Sequence, residues 1–465
     1  MTATKGTKDF THGPIFLPML LFALPVVAAG CLQQLYNTAD KIVVGQFSGN
    51  EYALGAIGCT ASLYTLIVAL CTGLSMGAGV TVAHRFGAHE ERELSRAVHT
   101  AFSVALIVGV SISIIGFVFC PVFLRWMGTD EHLLPLAIKY MRIIFAGTPF
   151  SILYNFGAAA TRSMGNSRAP LLILGLSGLL NVGFNLLFVL CFGMDVDGVA
   201  YGTIIAQAAS AFTVWYLLYR RAEGVRFRLR SLCLDRRTVG DIIRIGLPSG
   251  FQSALFSISN VLLAGTINNN FPTTTVEGNA ISMSIGSYTA QTSAGVYQSV
   301  LTFTGQNVGA RRPDRVRRVL FSGLIQTVLL TGLLGWGSFF FSDGLTTLFV
   351  DGTRPDAYLV ARAVRERCSV VLTCYFLGGA MDTLTGHLRG RKYSLIPMIS
   401  TMIFACFFRI FWMLVVFPLL PATLSSLYLC YPISWSANTV AQIVMVYFIN
   451  RKERREARLA EATPG

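Results

Sequence analysis

The fold class is decided by residues 171–190, which read LLILGLSGLLNVGFNLLFVL. This stretch holds no charged side chain over its 20 residues. A helix of about 20 apolar residues crosses the roughly 30 Å hydrocarbon core of a bilayer, because an α-helix rises about 1.5 Å per residue. A second uncharged stretch runs from Val319 to Phe341. The sequence therefore predicts helices that span a membrane.

The composition of the whole chain agrees with a membrane protein. Of the 465 residues, 53% are hydrophobic and only 13% are charged. About a quarter of the residues in a soluble globular protein are charged, because they must cover its surface. This chain has too little charge for that, so the bilayer is its expected solvent.

The excess of basic residues marks one side of the membrane. The net charge is +14, and arginines concentrate in the loops after the even-numbered apolar blocks, most densely between Arg220 and Arg244. The loops after odd-numbered blocks are poorer in Lys and Arg. Because such an excess marks the cytoplasmic side, we expect a multi-pass membrane protein with both termini inside. The basicity is a topology signal and does not indicate nucleic acid.

Twelve helices are predicted, in two sets of six. They lie near residues 15–44, 52–83, 97–120, 136–160, 170–193 and 197–219, and near 241–268, 276–306, 316–341, 357–386, 394–417 and 424–449. The long polar segment between the sets is the natural domain boundary. We predict an N-terminal six-helix lobe over 1–230 with a cytoplasmic linker to about 240, a C-terminal six-helix lobe over 241–450, and a basic cytoplasmic tail over 451–465.

The two halves repeat three short motifs in the same order. The pairs are ALP at 23–25 with GLP at 246–248, RFGA at 85–88 with NVGA at 307–310, and MGN at 164–166 with RGR at 389–391. Because each half has an even number of helices, the repeat is parallel, about an axis along the membrane normal. The predicted fold is an all-α polytopic membrane protein of about twelve transmembrane helices in two pseudo-symmetric six-helix lobes. Transporters built this way bind substrate between the halves.

Five motifs, taken in order, resemble a known family. They are QQLYNTAD at 33–40, GLSMGA at 73–78, AVHT at 97–100, QNVGA at 306–310 and LRG at 388–390. The set is similar to the multidrug and toxic compound extrusion (MATE) family, in a bacterial branch like the DinF and NorM proteins. The resemblance covers roughly the whole chain. It implies two lobes around a central cleft, alternating access, and export driven by inward H⁺ or Na⁺ flow.

Asp40 is the first candidate for the coupling site. An aspartate deep in a membrane helix costs about 2.5–3.5 kcal/mol on insertion scales and usually faces a cavity or a partner. The alternative is that Asp40 is solvated at a helix end or paired with Lys41, although adjacent helix residues do not face each other. The family resemblance implies that Asp40 is a cation-coupling carboxylate of the N-terminal lobe.

Polar residues of two later helices complete this candidate site. Asn181 and Asn185 are four residues apart and share one helix face. They either hydrogen-bond between helices or offer oxygen ligands, with Thr203 and Asp40, to a cation such as Na⁺. The resemblance places Asn181 and Thr203 in such a cluster. Some relatives carry a second aspartate where this chain has Asn185, which leaves open which ion is coupled.

A second intramembrane acid lies in the other half. Asp382 of the tenth predicted helix has a possible partner in Arg409 of the eleventh, which would make a neutral structural pair. In NorM-like relatives a coupling aspartate lies about one turn earlier, where this chain has Gly378. A four-residue offset keeps the same helix face, so a functional role stays open.

Further polar residues are candidates for the substrate cleft, although interhelical hydrogen bonds would explain them equally well. They are Gln34, Tyr36, Asn37, Gln252, Asn260, Tyr288 and Gln291.

The function expected from these features is secondary-active antiport: export of amphipathic or cationic drugs or metabolites in exchange for H⁺ or Na⁺. The alternative is a flippase for a lipid-linked or other amphipathic substrate. No HExxH or Walker motif is present, and the one GxSxG match, GLSMG at 73–77, lies inside the second predicted helix, so we expect no catalytic residues and no enzyme activity. We likewise expect no cofactor besides the coupling ion, no metal beyond a possible Na⁺ at Asp40, an organic cation as substrate, and a monomer in the bilayer.

Overall fold

The computed structural model of the chain describes residues 7–47, 52–220, 227–351, 353–421 and 423–462. Within these ranges every regular element is helical and no strand occurs. Six long helices make up the first half: α1 (Phe16–Phe47), α2 (Ala53–Gly87), α3 (Glu91–Trp126), α4 (Leu134–Ser163), α5 (Arg168–Leu186) and α6 (Val196–Arg220). Helix α5 continues as a π-helix over Leu187–Cys191.

The second half is more interrupted. Its helices are α7 (Arg236–Asn270), α8 (Thr273–Gly309), α9 (Pro313–Phe340), α10 (Ser342–Thr346), α11 (Ala357–Arg367), α12 (Tyr375–Gly390), α13 (Leu395–Thr401), α14 (Phe408–Phe411), α15 (Leu424–Tyr428) and α16 (Cys430–Ala462). Wider π-helical turns occupy Cys368–Leu372, Met402–Phe407 and Trp412–Val416. Short 3₁₀ turns lie at Leu229–Ser231 and Phe417–Leu419.

Length and hydropathy identify the membrane spans. Among the described residues, eight helical segments are long and apolar enough to cross a membrane, and α11 with α12, bent by 42°, makes a ninth. The long helices α6, α8 and α16 are not in that set. Together these segments account for the twelve helices that the sequence predicts. The expected all-α polytopic fold is therefore confirmed.

The chain divides into two compact units. Of the described residues, unit 1 holds those within 7–14, 21–251 and 305–315, and unit 2 holds those within 15–20, 252–304 and 316–462. Each unit draws on more than one stretch of sequence. The lobe boundaries at 230 and 241 stay a prediction.

Small residues bring helix backbones together inside unit 1. A Cβ atom at Gly73 of α2 would lie 2.1 Å from the backbone nitrogen of Gly250 on α7, and one at Gly77 would lie 2.3 Å from the carbonyl oxygen of Ile242. Such close approach is the usual way in which helices gain packing contacts in lipid, where burial of apolar surface gives little advantage. Helix α7 therefore begins in unit 1, packed on α2.

The segment before α1 is fixed to unit 1 by hydrogen bonds. The backbone nitrogen of Phe10 donates to Oε1 of Gln306 at 2.9 Å, and that of Lys8 donates to the carbonyl oxygen of Met164 at 3.2 Å. Arg315 donates to the carbonyl oxygens of Phe10, His12 and Gly13 at 2.9–3.1 Å. Buried backbone groups need such partners, so residues 7–13 form part of the folded unit.

The end of the linker is anchored on α3. The backbone nitrogen of Asp235 donates to Oγ1 of Thr100 at 3.2 Å. The Asp235 carboxylate accepts a 2.8 Å hydrogen bond from the backbone nitrogen of Thr238, in the first turn of α7. A carboxylate in this position caps the free N–H groups at a helix start.

Aromatic side chains dominate the core of unit 2. Trp412, Tyr428, Tyr431 and Trp435 are each less than a tenth exposed and belong to one apolar cluster. Helix α12 packs against α16 beside this cluster. Aromatic rings bury large areas with few rotatable bonds, so they give this interior a defined shape.

Candidate functional site

The first predicted site is assembled in unit 1 from α1, α5 and α6. The carboxylate of Asp40 on α1 accepts a hydrogen bond from Nδ2 of Asn185 on α5, and the two atoms lie 2.6 Å apart. Hydrogen bonds to an ionised group are shorter and stronger than those between neutral groups. This contact ties the intramembrane acid of α1 directly to α5.

The hydrogen bonds continue from Asn185 to the two other predicted residues. Nδ2 of Asn185 also lies 3.5 Å from Oδ1 of Asn181, and Nδ2 of Asn181 donates to Oγ1 of Thr203 at 3.2 Å. The Thr203 hydroxyl donates its own proton to the carbonyl oxygen of Val199 at 2.9 Å, so it is free to accept from Asn181. The structure thus brings together Asp40, Asn181, Asn185 and Thr203.

One oxygen in this cluster lacks a partner. Asn185 is fully buried, and its Oδ1 atom forms no hydrogen bond with any residue that the structure describes. Buried polar atoms are rarely left unpaired, and an exception calls for an explanation such as a missing ion or proton. The Asp40 carboxylate and this amide oxygen together are the ligand types that a hard cation prefers.

Gly202 on α6 makes room for that oxygen. A Cβ atom at position 202 would lie 2.1 Å from Oδ1 of Asn185, which is too close for any side chain there. Sequence reasoning missed this residue. The signal in the sequence is a glycine directly before Thr203, which is a residue of the predicted site.

Two tyrosines outside the predicted set lie within electrostatic range of Asp40. They are Tyr64 on α2, which hydrogen-bonds the side chain of Gln207, and Tyr140 on α4. Both rings lie among apolar residues of α2 and α4. A hydroxyl within an otherwise apolar block is the signal that would have identified them.

The cleft candidates of the first half differ in their surroundings. The hydroxyl of Tyr36 donates to the carbonyl oxygen of Gly175 at 3.2 Å, and its ring occupies the space beside Gly178, so it packs on α5. Gln34 is half-buried on α1. The side chain of Asn37 lies outside the described residues.

The cleft candidates of the second half lie on α7 and α8 in unit 2. Gln252 donates to Oγ1 of Thr401 at 3.0 Å and accepts from Arg389 at 2.7 Å, so it belongs to a polar network. Asn260 and Gln291 are half-buried, whereas Tyr288 is exposed. A common role in a substrate cleft stays a prediction for all of these residues.

The possible ion pair between Asp382 and Arg409 does not occur among the described residues. Asp382 instead accepts a 2.7 Å hydrogen bond from the Ser293 hydroxyl on α8. Arg409 instead donates to Ser434 and lies over the Tyr431 ring. The reason is geometric: Asp382 bonds to a residue of α8, whereas Arg409 bonds to a residue of α16. Whether either residue takes part in transport is untested.

Long apolar helices and a single carboxylate held among amides at membrane depth define a polytopic membrane transporter. A family model described as MatE matches residues 25–187 and 248–415, so the chain belongs to the MATE family of multidrug efflux transporters.

Similarity to individual proteins agrees with this family. The chain is 25% identical over 402 residues to the probable multidrug resistance protein YoeA of Bacillus subtilis, covering 84% of this chain and 85% of that protein. It is 26% identical over 398 residues to the probable multidrug resistance protein NorM of Thermotoga maritima, covering 83% and 82%. A crystal structure of MATE in complex with MaL6 has the same fold, with a TM-score of 0.86 and 22% identity over 98% of this chain and 99% of that one.

Proposed function

We propose that this protein is an antiporter that exports amphipathic organic cations in exchange for H⁺ or Na⁺ by alternating access. The observation that carries the proposal is the contact between Asp40 and Asn185, with the unpaired Oδ1 of Asn185 beside it. Ionisable residues at membrane depth mark ion and substrate pathways in transporters. An acid with a free oxygen ligand next to it suits a coupling cation.

Both candidate ions would change the contact between α1 and α5. A proton on Asp40 turns the carboxylate into a donor, for which Oδ1 of Asn185 is the available acceptor once the amide turns over. A sodium ion would instead take the carboxylate together with the oxygens of Asn181, Asn185 and Thr203. Either ion neutralises the Asp40 carboxylate on α1 and so changes its contact with α5. Coupling requires that the two conformations of the transporter bind this ion with different affinity.

The rest of the proposal follows from the family and the charge pattern. The substrate is an organic cation, for which the carboxylates provide attraction in a low-dielectric interior. The protein acts as a monomer in the plasma membrane of a bacterium, with both termini in the cytoplasm. It carries out no catalytic chemistry and uses no cofactor other than the coupling ion.

The test is efflux of a fluorescent organic cation from cells that make the wild type or Asp40→Asn, with proton and sodium gradients imposed separately. The proposal requires export by the wild type under at least one gradient and none by Asp40→Asn. Asp343→Asn is the matched control, because this carboxylate is exposed and pairs with Arg365 at the surface. If no gradient drives export of any cation tested, the antiporter proposal fails and a flippase becomes the better account.

A further inference from the structure

Arg409 occupies an unusual position in the second half. It lies in α14, a four-residue helix with π-helical turns on both sides, inside the membrane span Leu395–Leu419. It is only 1% exposed. Wide π-helical turns are rare and occur mostly at functional sites. Charged residues at membrane depth are also rare, because they are energetically costly.

The guanidinium of Arg409 is held at one edge only. Its Nε atom donates to Oγ of Ser434 at 3.1 Å, and the Ser434 hydroxyl donates onward to the carbonyl oxygen of Tyr431 at 2.9 Å. Nη1 and Nη2 are buried and have no hydrogen-bond partner among the described residues. The Nε side of the guanidinium is therefore bonded, and the free edge is the end that carries Nη1 and Nη2. Two parallel N–H groups at that end can donate to both oxygens of a carboxylate.

Three aromatic rings lie close to the guanidinium of Arg409. The guanidinium carbon lies 4.2 Å from the centroid of Tyr431, 5.0 Å from Phe256 and 5.9 Å from Trp435. These contacts stabilise the cation, but they satisfy none of its N–H donors. They also give the surroundings of the guanidinium an apolar, aromatic character.

No acidic side chain neutralises Arg409 within the part of the chain that the structure describes. Asp382 is bonded to Ser293 instead. The interior of unit 2 therefore holds an acid and a base that are not paired with each other.

We propose that Arg409, with Phe256, Tyr431 and Trp435, is a binding site for the carboxylate of an amphipathic organic molecule. The free N–H pair matches the planar carboxylate, and the rings match an apolar or aromatic body. Inorganic phosphate fits less well, since it has no apolar part to contact the rings and must lose more hydration. Resting on the proposed function, this site makes zwitterions, in which an organic cation also carries a carboxylate, the preferred substrates.

Phe256 is the most accessible of the three rings. Its ring is half-buried, whereas Tyr431 and Trp435 are 8% and 4% exposed.

The test is binding of phenylacetate to the purified full-length protein, followed by tryptophan fluorescence, because Trp435 contacts the proposed site. Phenylacetamide is the neutral isostere, and inorganic phosphate is the anion without an apolar body. We expect a saturable change with phenylacetate and an affinity at least about tenfold lower for the other two compounds. Trp435→Phe should remove most of the signal.

Two substitutions locate the binding at Arg409. Arg409→Gln removes the charge, and Arg409→Lys keeps the charge but loses the paired N–H groups, so each should weaken phenylacetate binding at least about tenfold. Equal affinity for phenylacetate and phenylacetamide in the wild type would overturn the proposal without any variant. So would unchanged binding by a folded Arg409→Lys protein, or tighter binding of phosphate. Because binding is measured without transport, failure of this site and failure of the antiporter proposal are separate results.

Discussion

The amide of Asn185 donates a 2.6 Å hydrogen bond to the Asp40 carboxylate, while its own oxygen is buried without a partner. The Asn185 side chain therefore stabilises the charged form of Asp40, and its amide oxygen remains available as a hydrogen-bond acceptor. An unsatisfied buried oxygen costs about 1–3 kcal/mol, so the arrangement favours arrival of a donor or a cation. In the proposed mechanism that arrival is the coupling event.

Asn185→Ala should abolish coupling. It removes both the donor to Asp40 and the free oxygen, and a hydrogen bond to a charged group is worth about 1.5–3 kcal/mol, so we expect export to fall about tenfold or more. Efflux per amount of inserted protein measures this. Asn155→Ala is the control, because the Asn155 amide donates to the carbonyl oxygen of Ser151, one turn earlier in its own helix α4. Equal export by both variants would argue against a role for the Asn185 amide.

Gly202→Ala should have the same functional effect through packing alone. The added methyl group would lie 2.1 Å from Oδ1 of Asn185 and must displace it. Overpacking of this kind costs about 1–3 kcal/mol, so the thermal midpoint should fall together with export. Gly183→Ala is the matched control on α5, since a Cβ there has nothing within 4 Å. A Gly202→Ala protein with normal export would show that the amide can move without loss of coupling.

Arg315→Ala should release the segment before α1. The substitution removes three hydrogen bonds to backbone carbonyl groups of residues 10–13. Since charged hydrogen bonds contribute about 1.5–3 kcal/mol each, the amides of Lys8 and Phe10 should exchange with deuterium at least about tenfold faster. Hydrogen exchange with mass spectrometry reads this directly. Arg318→Ala, at an exposed position three residues on, should leave the exchange unchanged.

Asp235 should make stability depend on acid pH. Hydrogen bonds from the backbone and side chain of Thr238 hold the pKa of Asp235 below its usual value. A lowered pKa in the folded state means that the stabilisation is complete above the unfolded pKa of about 3.9 and is lost as the pH falls through the folded value. Asp235→Ala should cost about 1 kcal/mol at pH 7, the usual value of a helix cap.

Asp235→Asn is the matched variant, because asparagine also caps helices but does not titrate. Its thermal midpoint at pH 7 should be close to that of the wild type. The difference between the two proteins should change as the pH is lowered from 5 to 3. If the thermal midpoints of the wild type and Asp235→Asn fall in parallel, titration of Asp235 does not contribute to the loss of stability at acid pH.

Much of the fold could be predicted, because membrane-spanning helices appear in the sequence as long apolar blocks. The stretch 171–190 and the even-numbered basic loops required no tertiary information. Asn181 and Asn185 were identified as one helix face by their four-residue spacing, and the structure brings both to Asp40 through hydrogen bonds.

Other features depend on which helices become neighbours, which spacing does not determine. Gly202 matters because of an oxygen on a different helix, and Tyr64 and Tyr140 come within electrostatic range of Asp40 from helices other than its own. The choice between a paired and an unpaired Asp382 stayed open for the same reason: charge complementarity in sequence does not show that Ser293 bonds to Asp382 and Ser434 to Arg409.

The central claim is that Asp40 couples ion entry to substrate export. The most direct measurement is uptake of H⁺ or Na⁺ into proteoliposomes loaded with a fluorescent organic cation, for the wild type and Asp40→Asn at equal protein content. The account predicts ion uptake by the wild type that depends on internal substrate, and none by Asp40→Asn. Substrate-dependent uptake by Asp40→Asn at the wild-type rate would contradict it.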